Sequence, residues 1–355
     1  MDKLLVKILI LLFSCPFLFC NCQEPSVLSA NTTETDQICR IMFWNSENLF
    51  DCYNDTTKLD DEFLPHGLRG WSTSRYNQKI KNMYKVFVAA GDWNPPDLIG
   101  LCEIENKAVL FDLIRNSQFS FYNYQFIHHD SPDRRGIDVA LLYNPSTVEV
   151  ISEKSIPVKL PENSNSLTRD ILYVRVKIKT GDTLSVFVNH WPSKYGGAGV
   201  TTILREATAK ILVGNIQVML KNNPLEKIVV MGDFNDPPES SPMEALCQDL
   251  DNNSGESNGL LINLGKDYKN TIPGSYKFEG AWELIDQVLV SQNLISGEEG
   301  LIVKEGSFRV FSPTFLLERD EKFGGTKPYR TYSGMVYQGG YSDHLPVILD
   351  LHGQR

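Results

Sequence analysis

Short apolar runs, four to eight residues long and closed by turn-forming segments, recur through this chain and constrain its fold more than any other feature. They occupy residues 41–44, 98–102, 136–143, 171–178, 184–189, 228–231, 285–290 and 347–351. Runs of this length read as strands. The unbroken apolar stretch 98–102 reads as a strand buried on both faces. Runs 171–178 and 184–189 flank Thr180, Gly181 and Asp182, which predicts a hairpin. Only two segments keep a clear helical period. Residues 74–90 put Tyr76, Ile80, Met83 and Phe87 on one face, and Gly91 with Pro95 and Pro96 ends the helix. Residues 202–221 line up Leu204, Ala207, Ile211 and Val218. Many strands with few helices between them predict a mixed-sheet α/β sandwich rather than an alternating doubly wound sheet. Residues 252–259 and 318–325 read as exposed loops. At 355 residues and 42% apolar content, one large core-forming domain accommodates the chain. It shows no internal repeat, low-complexity tract or interdomain linker.

The N-terminus reads as an address. Lys3 and Lys7 precede an apolar stretch that Ser14, Cys15 and Pro16 interrupt, and polar Asn21, Gln23 and Glu24 follow. That is short for a spanning helix and resembles a cleaved secretory signal over residues 1–22. Cys20 or Cys22 is a possible lipidation site and membrane tether. Residues 23–39 then form a flexible tether before a domain at 40–355. Export to the periplasm, the exterior or an outer-membrane tether is the expected destination. Cleavage would leave Cys39, Cys52, Cys102 and Cys247, which allow three complete disulfide pairings, although scattered cysteines in a domain this large read as buried free thiols. Their spacing suggests no structural zinc. The net charge of −10 disfavours tight non-specific binding to a nucleic-acid backbone. It leaves hydrolysis open, because a bound cation and a local basic patch can supply the attraction.

Polar clusters stand at the tips of the apolar runs, where a carboxylate reaches a rim without being stranded in the core. Asn45 and Glu47 follow the first run, Glu103 the second, and His190 the run at 184–189. Asp233, Asn235 and Asp236 follow Gly232, and Pro237 and Pro238 close the segment. There Gly232 permits close backbone approach, Asp233 can polarise a water, and Asn235 can donate to a phosphoryl oxygen. Asp286 interrupts an otherwise apolar stretch and needs a partner. His344 is its natural one, with the second imidazole nitrogen left for phosphate or water. Asp343 can then face a metal. Hard oxygen ligands with a few amides and imidazoles are the parts that metal-assisted phosphodiester cleavage requires.

In order, Trp-Asn-x-Glu at 44–47, Leu-Ile-Gly-Leu-x-Glu at 98–103, Asn-His-Trp-Pro-Ser at 189–193, Gly-Asp-Phe-Asn at 232–235, Ile-Asp at 285–286 and Ser-Asp-His at 342–344 resemble the endonuclease/exonuclease/phosphatase superfamily. The likeness spans residues 40–351 and is greatest to the secreted bacterial branch. It implies a four-layer α/β sandwich, two packed mixed β-sheets flanked by helices, with the active site at one sheet edge. It also implies that Asn45, Glu47, Glu103 and Asp343 surround Mg²⁺ or Mn²⁺. Asp233 and Asn235 match groups that orient or activate water, Asp286 pairs with His344, and His190 acts near the scissile phosphate. Arg135 and Asp138 fall where relatives place substrate-facing groups. The choice of general base stays open.

The expected activity is a secreted, metal-dependent, endonuclease-like phosphodiesterase on a phosphoester substrate, nucleic acid favoured. A phospholipid head group, as for sphingomyelinases, or a sugar or inositol phosphate is the alternative. A non-catalytic binding protein on the same fold is the alternative of another class. No stable protein partner is implied. Tyr329, Tyr332, Tyr337 and Tyr341 offer either stacking surfaces for bases and sugars or core packing.

Overall fold

A computed structural model describes residues 37–115, 117–161, 167–194, 197–248, 260–297 and 299–354. Two large sheets carry the architecture, and each contains one parallel pair. A parallel pair requires a long crossover, and the two predicted helices supply one each. In the first sheet, strand Gln37–Leu49 lies parallel to Leu98–Ile104, and helix Thr73–Ala90 connects them. In the second, Thr183–His190 lies parallel to Ile228–Asp233, joined by helix Ala198–Asn222.

The first sheet runs in the order Gly300–Val303, Val347–Gln354, Gln37–Leu49, Leu98–Ile104, Asp138–Tyr143 and Gln125–His128, with Arg309–Val310 also paired to Val347–Gln354. The second runs Val148–Ile156, Ile171–Ile178, Thr183–His190, Ile228–Asp233, Asp286–Val290 and Ile262–Asn263. The predicted hairpin closes through Gly181, whose φ of 105° suits the turn.

The sheets face each other through apolar side chains such as Phe43, Val186 and Met231, all buried. Gly100 lies at this interface. A Cβ there would stand 2.7 Å from the Met231 side chain and 3.1 Å from Phe43, so the close sheet approach requires glycine. A second core holds Phe187, Val230 and Leu289 against Ala209, Leu212 and Ile216 of the long helix. Helix Thr73–Ala90 covers the first sheet with Tyr76, Ile80, Met83 and Phe87, as its period predicts. Helix, sheet, sheet and helix give the expected four layers.

Several expectations need revision. The first strand begins at Gln37, so residues 37–39 belong to the sheet and not to a tether; Cys39 pairs with Leu351. The long helix buries Arg205, Thr208, Ala209, Leu212 and Ile216, whereas Val218 is exposed. Hydrophobicity alone misplaced that face, because it includes Arg205, whose guanidinium is satisfied by Asp236 and the Pro192 carbonyl. The predicted loop at 318–325 begins in a hairpin of Leu317–Arg319 with Thr326–Pro328. Helix Lys107–Arg115 and the polar edge strand Val148–Ile156 were not anticipated. All four cysteines of the domain are free. The leader, the lipidation site and residues 252–259 lie outside the described residues. Among the described residues no helix is long and apolar enough to cross a membrane.

One contact ties the sheets at their far edge. Asp182, in the hairpin of the second sheet, accepts from Lys227 at 2.7 Å and from the Leu301 N–H of the first sheet at 3.2 Å. Burial opposes ionisation of this carboxyl, but Lys227 and the Leu301 amide outweigh it and hold its pKa below the ordinary 3.8. A depressed folded pKa stabilises above the unfolded value, and that stabilisation is lost as pH falls through the folded one. Asp182→Ala should therefore cost about 1–2 kcal/mol at pH 7. The difference from wild type should shrink toward pH 3 in urea titrations run across pH.

Candidate active site

The C-terminal tips of the two parallel pairs end at the same edge of the sandwich. Asn45 lies opposite Cys102, one residue before Glu103. His190 lies opposite Asp233, and Asp233 opposite Asp286, so three polar residues form a row across the second sheet. His344 arrives on the segment before the last strand. The Trp44 indole, donating to the His344 carbonyl at 2.9 Å, pins it there. Glu47, Asn48, Glu103 and Asn235 all hold positive φ between 52° and 60°. Left-handed backbone at four non-glycine residues is costly, and such strain concentrates at functional sites.

A cleft of about 560 Å³ opens over this edge, lined in part by Glu103, Arg135, His190, Asp233, Asp343 and His344. His190 Nε2 stands 3.9 Å from Glu103 Oε1 and 3.7 Å from Asp233 Oδ2. His344 Nε2 stands 3.9 Å from the same Asp233 oxygen and 4.0 Å from Asp343 Oδ1. These separations exceed a hydrogen bond, so the groups face a shared space and not one another. Two imidazoles flank one carboxylate.

Each group is held from behind. Asp233 accepts from Asn45 Nδ2 at 3.0 Å and from the Asn235 N–H at 2.9 Å. Burial pushes its carboxyl up to about 7; His344 opposes the rise and Asp286 adds to it. Asp286 Oδ2 meets His344 Nδ1 at 2.7 Å and accepts from Ser275 Oγ at 2.6 Å. Burial disfavours the His344 imidazolium, yet Asp286, Asp233 and Asp343 together hold its pKa well above the ordinary value. His190 is the opposite case: burial, aided by Arg169, Arg135 and His344, keeps it neutral. Two histidines in one cleft thus carry different charges.

The expected metal ligands separate into two levels. Glu103 and Asp343 line the cleft. Each is anchored through one oxygen, Glu103 by the Asn48 N–H at 2.9 Å and Asp343 by Arg330. Burial opposes ionisation of Asp343, but His344 and Arg330 hold its pKa below the ordinary value. Asn45 and Glu47 lie buried behind. Asn45 is engaged with Asp233 and the Glu47 N–H, and Glu47 accepts from the Thr331 and Tyr332 amides at 2.6 and 3.1 Å. Two metal-capable side-chain groups meet here, Cys102–His190–Asp233 and Asp233–Asp286–His344. Cys102 is buried and does not line the cleft, and burial, with Asp233 and Glu103 adding to the effect, pushes its thiol well above the ordinary pKa. The remaining donors in the cleft are hard carboxylates and imidazoles. The set fits a divalent cation, which the cleft-lining carboxylates of Glu103 and Asp343 would hold.

Asp138 does not reach the cleft. It is buried at the start of its strand, where it accepts from the Ser131 N–H at 2.9 Å and faces His128. Arg135 does line the cleft, half-exposed and 3.6 Å from Asp133. Gly232 permits close backbone approach, as expected: a Cβ there would meet the Asn189 backbone oxygen of the neighbouring parallel strand at 2.6 Å. Of the four tyrosines, Tyr332 and Tyr341 are buried and Tyr329 and Tyr337 pack against them.

Sequence reasoning missed Lys79, Arg169 and Arg330. Lys79 sits on the apolar face of its helix and donates to Thr331 Oγ1 and the Tyr341 carbonyl, both at 2.6 Å. Burial lowers its pKa to about 8 against the pull of Glu47, Asp343 and Glu103. A lysine in a core stripe was the available signal. Arg169 braces the His190 and Trp191 carbonyls and pairs with Asp133 at 3.2 Å.

The chain belongs to the endonuclease/exonuclease/phosphatase family, whose model matches residues 40–353. The human nocturnin catalytic domain with bound sulfate superposes with a TM-score of 0.53 at 16% identity, covering 89% of this chain and 94% of that one. A Bacteroides thetaiotaomicron mannosyl-6-phosphatase gives 0.54 at 15% identity, covering 88% and 99%. A humanized D. rerio TDP2 gives 0.54 at 13% identity, covering 88% and 98%. At these identities the likeness is one of fold. No curated protein matches the sequence.

Proposed function

We propose that this protein is a divalent-metal-dependent phosphoesterase, acting as an endonuclease-like phosphodiesterase through in-line attack of water. One observation carries the reading: the Asp286–His344 pair aims a charged imidazole at the space shared by Asp233 and His190, beside two cleft-facing carboxylates. A Mg²⁺ or Mn²⁺ held by Glu103 and Asp343 would neutralise charge on the phosphoryl oxygens. Asp233, fixed at both oxygens and titrating near neutrality, takes the proton of the attacking water. The imidazolium of His344 donates to the charge that develops on phosphorus-bound oxygen, and neutral His190 adds a second donor. Arg135, on the cleft wall, contacts a non-bridging oxygen. Tyr276 and Phe278 flank the opening as stacking surfaces for a base or sugar.

A sugar phosphate is the second reading, favoured by the modest volume of the cleft and the charge of −10. The TDP2 and mannosyl-6-phosphatase names attach to similar folds and support a phosphoester substrate of either kind. Export through residues 1–22 belongs to the same proposal. The test is hydrolysis of plasmid DNA, RNA, sphingomyelin, inositol and sugar phosphates and a chromogenic phosphodiester, with Mg²⁺ and with chelator. Turnover should vanish with chelator and return with Mg²⁺. Glu103→Gln should raise the Mg²⁺ needed for half-maximal rate by about 10- to 100-fold. Chelator-resistant hydrolysis would remove the metal from the scheme.

A further inference from the structure

A third group of metal-capable side chains lies outside the cleft, at the base of the loop that presents Arg135. The register of the first sheet creates it. His128, the last residue of strand Gln125–His128, lies opposite Ala140 of strand Asp138–Tyr143. Asp138, two residues earlier, therefore shares the same face diagonally across the pair. Asp130 follows His128 by two residues. Ligand atoms of His128, Asp130 and Asp138 all lie within 4.8 Å of one another.

The histidine is the informative member. Its side chain is 0% exposed, and neither ring nitrogen has a hydrogen-bond partner. A buried polar group in that condition needs an explanation, and an ion is one. Nε2 stands 3.4 Å from Asp138 Oδ2, and Nδ1 stands 3.9 Å from Asp130 Oδ1. Neighbouring ligands of a tetrahedral zinc are about 3.3–3.6 Å apart, given metal–ligand bonds of about 2.0–2.2 Å. A single ion takes one ring nitrogen; the Nε2–Asp138 pair falls in that range, and Asp130, on the Nδ1 side of the ring but 76% exposed, reaches the same ion by rotating its side chain. Asp138 is oriented for the task, because its other oxygen is tied to the Ser131 N–H at 2.9 Å.

We propose that His128, Asp138 and Asp130 bind a divalent transition metal of the Zn²⁺ class, with water completing the shell. One imidazole with two carboxylates selects such an ion over Mg²⁺, which prefers oxygen and binds imidazole poorly. The site clamps both ends of the loop between the two strands. Within that loop, Asp133 pairs with Arg169 behind His190, and Arg135 reaches the cleft. The ion fixes the platform that presents Arg135, without touching the reacting atoms.

Equilibrium dialysis of the full chain against micromolar Zn²⁺ in millimolar Mg²⁺, followed by metal analysis, tests this without reference to activity. The wild type and the Glu103→Gln/Asp343→Asn double variant should each retain one Zn²⁺. His128→Gln should retain none, and Asp130→Asn, altered at an exposed side chain that the fold does not need, should bind at least about tenfold more weakly. Hydrogen exchange over residues 130–136 should slow on adding Zn²⁺ to the first two proteins and not to His128→Gln. No zinc on the wild type, zinc lost with the cleft carboxylates, or unchanged affinity in Asp130→Asn would each overturn the assignment.

Discussion

Asp233→Ala is expected to abolish phosphoester hydrolysis, lowering kcat by about 10³-fold or more, while the protein stays folded. The size follows from how many functions converge on this carboxylate. It lies within 4 Å of both His190 and His344 and is fixed by the side chain of Asn45 and the backbone of Asn235. Folding should survive, because removing a buried carboxyl that burial has pushed up to about 7 relieves a desolvation cost while it leaves two donors unpaired. Asp233→Asn separates the roles, since the amide keeps the shape and removes the basic oxygen. Single-turnover rates on the substrate found in the panel, with circular dichroism as the control, decide the matter. Near-wild-type rates in either variant would remove Asp233 from the mechanism.

Asp286→Asn should be nearly as damaging, at about 10²- to 10⁴-fold in kcat with little change in KM. Asp286 sits in the sheet and does not line the cleft; it acts through His344, holding the ring by Nδ1 and supplying the counter-charge. Without that charge the His344 pKa falls, since Asp286 is the largest of the groups that raise it. The alkaline limb of the pH–rate profile should then move to lower pH, a displacement that a merely structural substitution would not produce. Ser275→Ala, which removes only the hydroxyl that donates to the same oxygen, should give a much smaller loss. Equal losses in the two variants would indicate a packing role for Asp286 instead.

The strands were legible because their side chains face one of two buried surfaces. Ile171–Ile178 appears at its predicted bounds, and Ile228–Asp233 exceeds its apolar run only by the two residues that enter the site. Edges were illegible for the converse reason. Val148–Ile156 is mostly polar where it is exposed, and only its pairing with Ile171–Ile178 makes it a strand. The long helix was found but turned, since Arg205 lies inward on a face that hydrophobicity assigns to solvent.

At the site, the sequence determined which residues stand at strand tips, because chemistry that must reach a rim interrupts or ends an apolar run. Glu103, His190, Asp233, Asp286 and His344 were all marked in that way. Only the tertiary structure decided which of them share a space. It sent Asp138 to His128 instead of the cleft, left Glu47 behind the wall on two backbone amides, and brought Lys79 and Arg330 in from segments that carry no motif. Those choices follow from strand register and from the need to pair every buried charge, and both are settled between elements far apart in the chain.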